Sequence, residues 1–418
     1  MCTEKPFAVT VSYYNDIGTR YGFCWQTLSD VESFLEYTDE SDENFLRCKI
    51  ISAKSIYTDS SCYKNYAETD ELSSPKDIWY RIRVKGGATT RPVLLKTPST
   101  TDKTRFVLVA DTQDLEHNGE WWNAVLSDAG KVFADYDFIA HAGDIVQTSG
   151  LWQEWKAMFE NVDSYTRSHP LVAAAGNHDY WSGFLLGHRG TFYNHFHIDI
   201  PEQKTDYGAY YSVELGNMFL AVLNTGDSML TGGELLESQY QWLSGKLQST
   251  EKAWKVILMH NPMYSPGKYG TEIECCVPCL ALREQLSGLF EENDVNLVIC
   301  GHDHIFARTY PVKKNGNPEI ECEIKQTEFL GRTSETFLNP QYTIYLEPGC
   351  AGNQNRYESN KLSLKERLLF REIKSLNYGE VSYAIIEVEK SELKVLYRVI
   401  NVQNENCIFE SAFGITKD

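Results

Sequence analysis

Two aspartates, one asparagine and three histidines recur at one kind of position in this sequence, just after short apolar runs. Residues 106–110 lead into Asp111, and residues 138–143 into Asp144. Residues 171–176 lead into Asn177-His178-Asp179, residues 256–259 into His260, and residues 297–301 into His302-Asp303-His304. Carboxylate, carboxamide and imidazole are ligands for hard-to-borderline divalent cations. Singly, an Asp after a strand is more often a turn or helix cap, and a His a neutral hydrogen-bonded ring. Together, at five strand ends and mostly behind a small Gly or Ala, they point to one metal site. The reason is architectural: α/β sheets bind ligands outside the carboxyl ends of their strands.

The elements that must position these residues follow from the same runs. Continuous apolar stretches suit strands buried on both faces. Between them, residues 121–133, 152–162, 235–248 and 280–291 read as helices, so residues 105–418 are expected to form a layered α/β domain. Two β-like runs, 382–389 and 393–401, close the chain. The first hundred residues differ. Runs 7–14, 21–27, 49–57, 78–84 and 92–96 are β-branched or aromatic and are separated by Gly, Ser, Pro and Asp clusters. That spacing predicts an all-β sandwich over residues 1–97. Residues 98–104 lack apolar periodicity and read as a linker.

The chain has 418 residues, 39 Lys+Arg and 58 Asp+Glu, for a net charge of −19. Such an acidic surface disfavours binding along a nucleic-acid backbone. No stretch approaches the about 20 apolar residues of a membrane span. Cysteines number 11, an odd count, and the N-terminus lacks a charged-then-apolar leader pattern. Reduced thiols and a cytoplasmic location are therefore expected. The oligomeric state is not legible.

Asp111-Thr112-Gln113, Gly143-Asp144, Gly176-Asn177-His178-Asp179, Met259-His260 and Gly301-His302-Asp303-His304 resemble, in order, the motif blocks of calcineurin-like metallophosphoesterases. Residues 301–311 and the turn Gly349-Cys350-Ala351-Gly352-Asn353 are similar to the purple acid phosphatase branch. The resemblance implies an α/β/β/α sandwich preceded by a fibronectin-III-like domain. It also implies two divalent or mixed-valence metal ions (Fe, Mn or Zn). Asp144 would bridge them, with Asp111 and His304 on one ion and Asn177, His260 and His302 on the other. The implied reaction is hydrolysis of a phosphoric ester by metal-bound hydroxide. His178 would steady the phosphoryl oxygens or protonate the leaving oxygen. Asp179 would orient His178 or cap a helix.

Two positions depart from the family pattern. Gln113 stands where the general family often has His; its amide oxygen is a candidate ligand, against an ordinary turn amide. Gln147 stands where purple acid phosphatases carry the Tyr whose phenolate gives their colour, so the protein is expected not to be purple. In the loop 180–201, Arg189 and His195 are candidate substrate-binding residues. His195 and His197 would share a face if that stretch were extended. The loop 264–269 is a candidate lid. Cys275, Cys276 and Cys279 are read as unremarkable thiols in preference to a zinc or redox site.

The substrate is expected to be a small phosphomonoester. A phosphodiesterase or nucleotide hydrolase would use the same motifs. The Gln113 and Gln147 substitutions also motivate a third reading, a catalytically weak metal- or phosphate-binding module.

Overall fold

The computed structural model describes residues 4–417 except 40–41, 43, 59–60, 73–76, 99–102, 186, 189, 201–202, 272–276 and 354–361. The N-terminal strands form two four-stranded antiparallel sheets. One contains Phe7–Tyr13, Tyr21–Thr27, Tyr63–Glu68 and Lys54–Tyr57 in spatial order; the other contains Lys49–Ser52, Ser33–Asp39, Ile78–Val84 and Val93–Leu95. Ile78–Val84 alternates buried and half-buried residues, the period-2 pattern of a strand with one face in the core. Phe23 and Tyr80 join the two sheets at a ring separation of 4.6 Å.

The sequence expectation missed Ser33–Asp39 and Tyr63–Glu68, and it fused two strands that belong to different sheets, Lys49–Ser52 and Lys54–Tyr57. Tyr63–Glu68 hides because it contains Lys64 and Asn65. Both are buried and satisfied by distant partners. Lys64 Nζ donates to the carbonyls of Tyr193 (2.9 Å) and Phe196 (2.7 Å), and Asn65 donates to Thr27 Oγ1. Linker residues 99–102 lie outside the described residues. Thr104, expected in the linker, already begins a strand, and its hydroxyl donates to Leu215 O.

Beyond it, two larger sheets face each other. Thr104–Val109 pairs in parallel with Phe138–His141, which pairs in parallel with Leu171–Ala173; on its other side it pairs antiparallel with Glu380–Val388. In the second sheet, Met218–Val222, Trp254–Leu258, Leu297–Ile299 and Ile344–Pro348 run parallel in that order. Alternate residues of Trp254–Leu258 enter different cores. Trp254, Val256 and Leu258 pack against the first sheet, whereas Ile257 joins Leu243, Leu247, Leu282 and Leu286 of the outer helices. This two-sided burial is why the runs are continuously apolar. Glu237–Ser249 and Val277–Glu292 thus cover the second sheet. Glu120–Val132 and Trp152–Asn161 bury Trp122, Val125, Trp155 and Phe159 in the core that contains the first sheet. The layers are α/β/β/α.

The N-terminal sandwich shares this core. Phe7 lies tilted against Trp152 at 5.3 Å and Tyr13 meets Phe138 at 6.0 Å. The closing β runs are Glu380–Val388 and Glu392–Asn401, and a further strand, Cys407–Thr416, pairs with the latter. Eight cysteines among the described residues are free thiols, and no described helix is long and apolar enough to cross a membrane.

Candidate metal centre

The strand ends turn sharply. Asp111 (φ 53°), Asp144 (φ 59°), His302 (φ 81°) and His304 (φ 50°) all adopt left-handed backbone. For a non-glycine residue this conformation costs on the order of 1–3 kcal/mol and persists where surrounding structure imposes it. The two small residues ahead of these turns are required sterically. A Cβ on Gly143 (φ 92°) would lie 2.5 Å from His260 Nδ1, and one on Gly176 would lie 2.2 Å from Asp144 N. The glycines let three strand ends approach each other.

The predicted residues converge there. His260 donates from Nδ1 to Ala142 O at 2.9 Å, which leaves Nε2 as a lone pair. That Nε2 lies 3.1 Å from Asn177 Oδ1, 3.1 Å from His302 Nδ1 and 3.3 Å from Asp144 Oδ2. On the other side of Asp144, His304 Nε2 lies 3.5 Å from Asp111 Oδ1. Ligand atoms of Asp144, His260 and His302 fall within 4.8 Å of one another, as do those of Asp111, Asp144 and His304. Asp144 belongs to both groups. Ligand atoms gathered this closely around one buried carboxylate need a proton or a metal cation among them. The donor set therefore fits two divalent ions sharing one carboxylate. Gln113 adds its carboxamide, whose Nε2 donates to Asp144 Oδ2 at 3.3 Å.

The electrostatics agree. Burial works to raise the Asp144 pKa, but the His260, His178 and His302 rings outweigh it and hold the carboxyl below its ordinary range. Burial would lower His260, yet Asp144 and Asp111 push it up to about 9. Burial and the neighbouring His260 drive His302 well down. A cluster that raises one imidazole as a substitute cation is one that a metal ion would satisfy.

His178 N donates to Asp144 Oδ1 at 2.8 Å, and its ring is half-exposed beside the cluster. Of the two roles expected of Asp179, orienting the His178 ring or capping a helix, its hydrogen bonds are of the second kind: it caps the Asn177–Asp179 turn from its third residue. Its two oxygens accept the backbone N–H groups of Asp144 (2.9 Å), Ile145 (2.8 Å), Val146 (3.2 Å) and Gly176 (2.9 Å). Asp179 is a clamp between two strand-end turns. Burial and the Asp144 charge push its carboxyl up to about 8, against the pull of those donors. Arg189 lies outside the described residues, as do Cys275 and Cys276. Cys279 is buried and donates to Tyr269 O.

His195 is a correction. Its ring stacks on Trp155 at 4.1 Å and its carbonyl accepts from Thr10 Oγ1. It seals the junction between the sandwich and helix Trp152–Asn161 and offers nothing to a substrate. Nor is the stretch extended: Tyr193–His195 is a 3-10 turn, and His197 instead meets Glu68 at 2.8 Å.

Three contacts at the site had no clear sequence signal. Gln147 Nε2 reaches His178 Nδ1 at 2.9 Å. Asp303 accepts from Ser265 Oγ and from Tyr269 N (3.2 Å), which ties the 264–269 loop to the last block. The Tyr269 ring then packs on His302 at 4.0 Å. Each joins residues far apart in the chain, and no spacing rule reveals such pairs.

Comparisons with known proteins agree with this geometry. Residues 104–306 match the family model for calcineurin-like phosphoesterases. The chain is similar to purple acid phosphatase 22 of Arabidopsis thaliana, 26% identical over 227 residues, 53% of this chain and 48% of that protein. It is also similar to acid phosphatase type 7 of Danio rerio, 23% identical over 274 residues, 60% of this chain and 56% of that protein. The chain thus spans about half the length of these relatives. A solved purple acid phosphatase from yellow lupin (Lupinus luteus) seeds shares the fold. The TM-score is 0.76 at 15% identity, covering 99% of this chain and 75% of that one.

Proposed function

We propose that this chain, which carries a calcineurin-like phosphoesterase domain, hydrolyses phosphoric esters with a pair of divalent metal ions. The observation that carries the proposal is the double cluster around Asp144. Asp144 would be shared, with Asn177, His260 and His302 on one side and Asp111 and His304 on the other. Gln113 donates to the shared carboxylate. When bound, such ions act as Lewis acids on the phosphoryl oxygens and lower the pKa of a water. Mn, Fe(II) or Zn suits this donor set.

The chain's own residues do the rest. His260 is fixed in one tautomer by Ala142 O, and Asp179 fixes the backbone that carries Asp144. His178 stands beside the cluster with Nδ1 engaged by Gln147, so Nε2 is the atom available to protonate a leaving oxygen. The Asp303 clamp sets Tyr269 against His302 and walls one side of the cleft. Small phosphomonoesters are the proposed substrates, supported by likeness to the acid phosphatases. The test is turnover of p-nitrophenyl phosphate against bis-p-nitrophenyl phosphate with each metal. Faster hydrolysis of the monoester is expected; faster hydrolysis of the diester would make the protein a diesterase.

A further inference from the structure

The loop after His260 holds one residue by both ends. Asp303 accepts from Tyr269 N at 3.2 Å, and Cys279 Sγ donates to Tyr269 O at 3.0 Å. Asp303 also accepts from Ser265 Oγ, and that hydroxyl oxygen accepts from Gly267 N at 3.1 Å. Gly270 completes the tight turn, since a Cβ there would collide with Ser265 O. The loop is therefore a fixed bracket, and it presents two side chains. The Tyr269 ring packs on His302 at 4.0 Å. Lys268 Nζ lies over the Tyr269 ring at 5.6 Å. These two contacts in series keep the ammonium within about 10 Å of the His302 ring, and so beside the metal cluster.

Lys268 is half-buried, and it pairs with no carboxylate among the described residues. A contact with an aromatic face is electrostatic and occupies none of the three N–H donors of an ammonium. Those donors stay open to an acceptor, and a partly desolvated ammonium favours an anionic one. Among the described residues, Lys268 makes no hydrogen bond or ion pair with a candidate metal ligand. The anion it suits is thus carried on the leaving group, away from the reacting phosphoryl. In a chain of net charge −19 this cation opposes the global field, which repels anions over most of the surface.

We infer that Lys268 and Tyr269 form a subsite for a second anionic group on the substrate, which makes phosphomonoesters with an anion at the far end of a sugar-sized leaving group the preferred class. As a substrate subsite this rests on the phosphoester-hydrolase reading; as an anion-binding site it does not. The experiment offers the full chain, with Mn, three sugar phosphates of equal length. Fructose 1,6-bisphosphate carries a far phosphate, 6-phosphogluconate a far carboxylate and glucose 6-phosphate no far charge. Phosphate release and calorimetric binding are both measured. One of the two doubly anionic esters is expected to exceed glucose 6-phosphate about tenfold in kcat/KM, and which one does so tells phosphate from carboxylate. Lys268→Met is expected to bring that ratio to about one, and Lys268→Arg, which keeps the charge, to retain the preference. A ratio near one in the wild type, or a ratio unmoved by Lys268→Met because all three esters fall together or none does, would overturn the inference. Tighter binding of a doubly anionic ester that is lost in Lys268→Met, with no phosphate released from any of the three, would retain the subsite and refute the hydrolase reading instead.

Discussion

The carboxamide nitrogen of Gln147 lies 2.9 Å from Nδ1 of His178, and the Gln147 backbone carbonyl lies 3.2 Å from the same nitrogen. Gln147 thus meets Nδ1 with both its side chain and its backbone, which leaves Nε2 as the ring nitrogen turned away from it. Gln147 Oε1 is buried without a partner, so the side chain is held by this one contact. Gln147→Ala is expected to lower kcat/KM about tenfold, against roughly 10²–10⁴ for His178→Ala. Rates of both variants that match the wild type would remove His178 from the reaction.

The same side chain bears on colour. Gln147 is spent on His178, where purple acid phosphatases place a coordinating Tyr. Iron-loaded protein should therefore lack a tyrosinate charge-transfer band in the visible spectrum. A strong band in the visible would show that another Tyr reaches the metals.

Gly176 is a steric test of the centre. A Cβ there would meet Asp144 N at 2.2 Å, and the backbone it meets cannot swing aside as a side-chain tip can. Gly176→Ala should destabilise the fold by about 1–3 kcal/mol and weaken metal binding. Thermal unfolding with and without metal measures both. An alanine variant with unchanged melting and unchanged metal affinity would contradict the packing described.

Much of this centre was legible because its candidate ligands sit at strand ends with small residues before them, and the sheet architecture gathers such ends. The left-handed backbone of Asp111, Asp144, His302 and His304 was not legible, since no residue preference demands it. Asp179 left two readings open for a physical reason: a carboxylate beside His178 has the same sequence whether it holds that ring or accepts four backbone N–H groups. His195 misled in another way. A histidine in a loop reads as polar, yet tertiary packing put it flat against Trp155. In the sandwich, Tyr63–Glu68 stayed hidden because the partners of Lys64 lie 129 and 132 residues away.

His195 makes a pH prediction apart from the metals. Burial is the main cause holding it down, to about 3, with Lys64 adding to the shift. The unfolded ring takes a proton near pH 6.5. Between those values unfolding binds a proton. Stability is thus fully present above about pH 6.5 and falls by about 1.4 kcal/mol per unit as pH drops toward 3. His195→Phe keeps the stack on Trp155 and removes this slope. It should gain about 2 kcal/mol at pH 5 relative to wild type, compared with pH 8. Denaturant unfolding at the two pH values measures it. A pH-independent difference would show that His195 is not buried neutral.

The central claim is that two ions held around Asp144 make this protein a phosphoester hydrolase. The most direct test is hydrolysis of p-nitrophenyl phosphate by wild-type protein and Asp144→Asn, with Mn, Fe(II) or Zn and with EDTA, alongside metal content per chain. The account predicts two metal ions per wild-type chain, turnover abolished by EDTA and restored by metal, and loss of both in Asp144→Asn by at least about 10³-fold in rate. Turnover that survives EDTA, or an Asp144→Asn variant that keeps its metals and its rate, would contradict it.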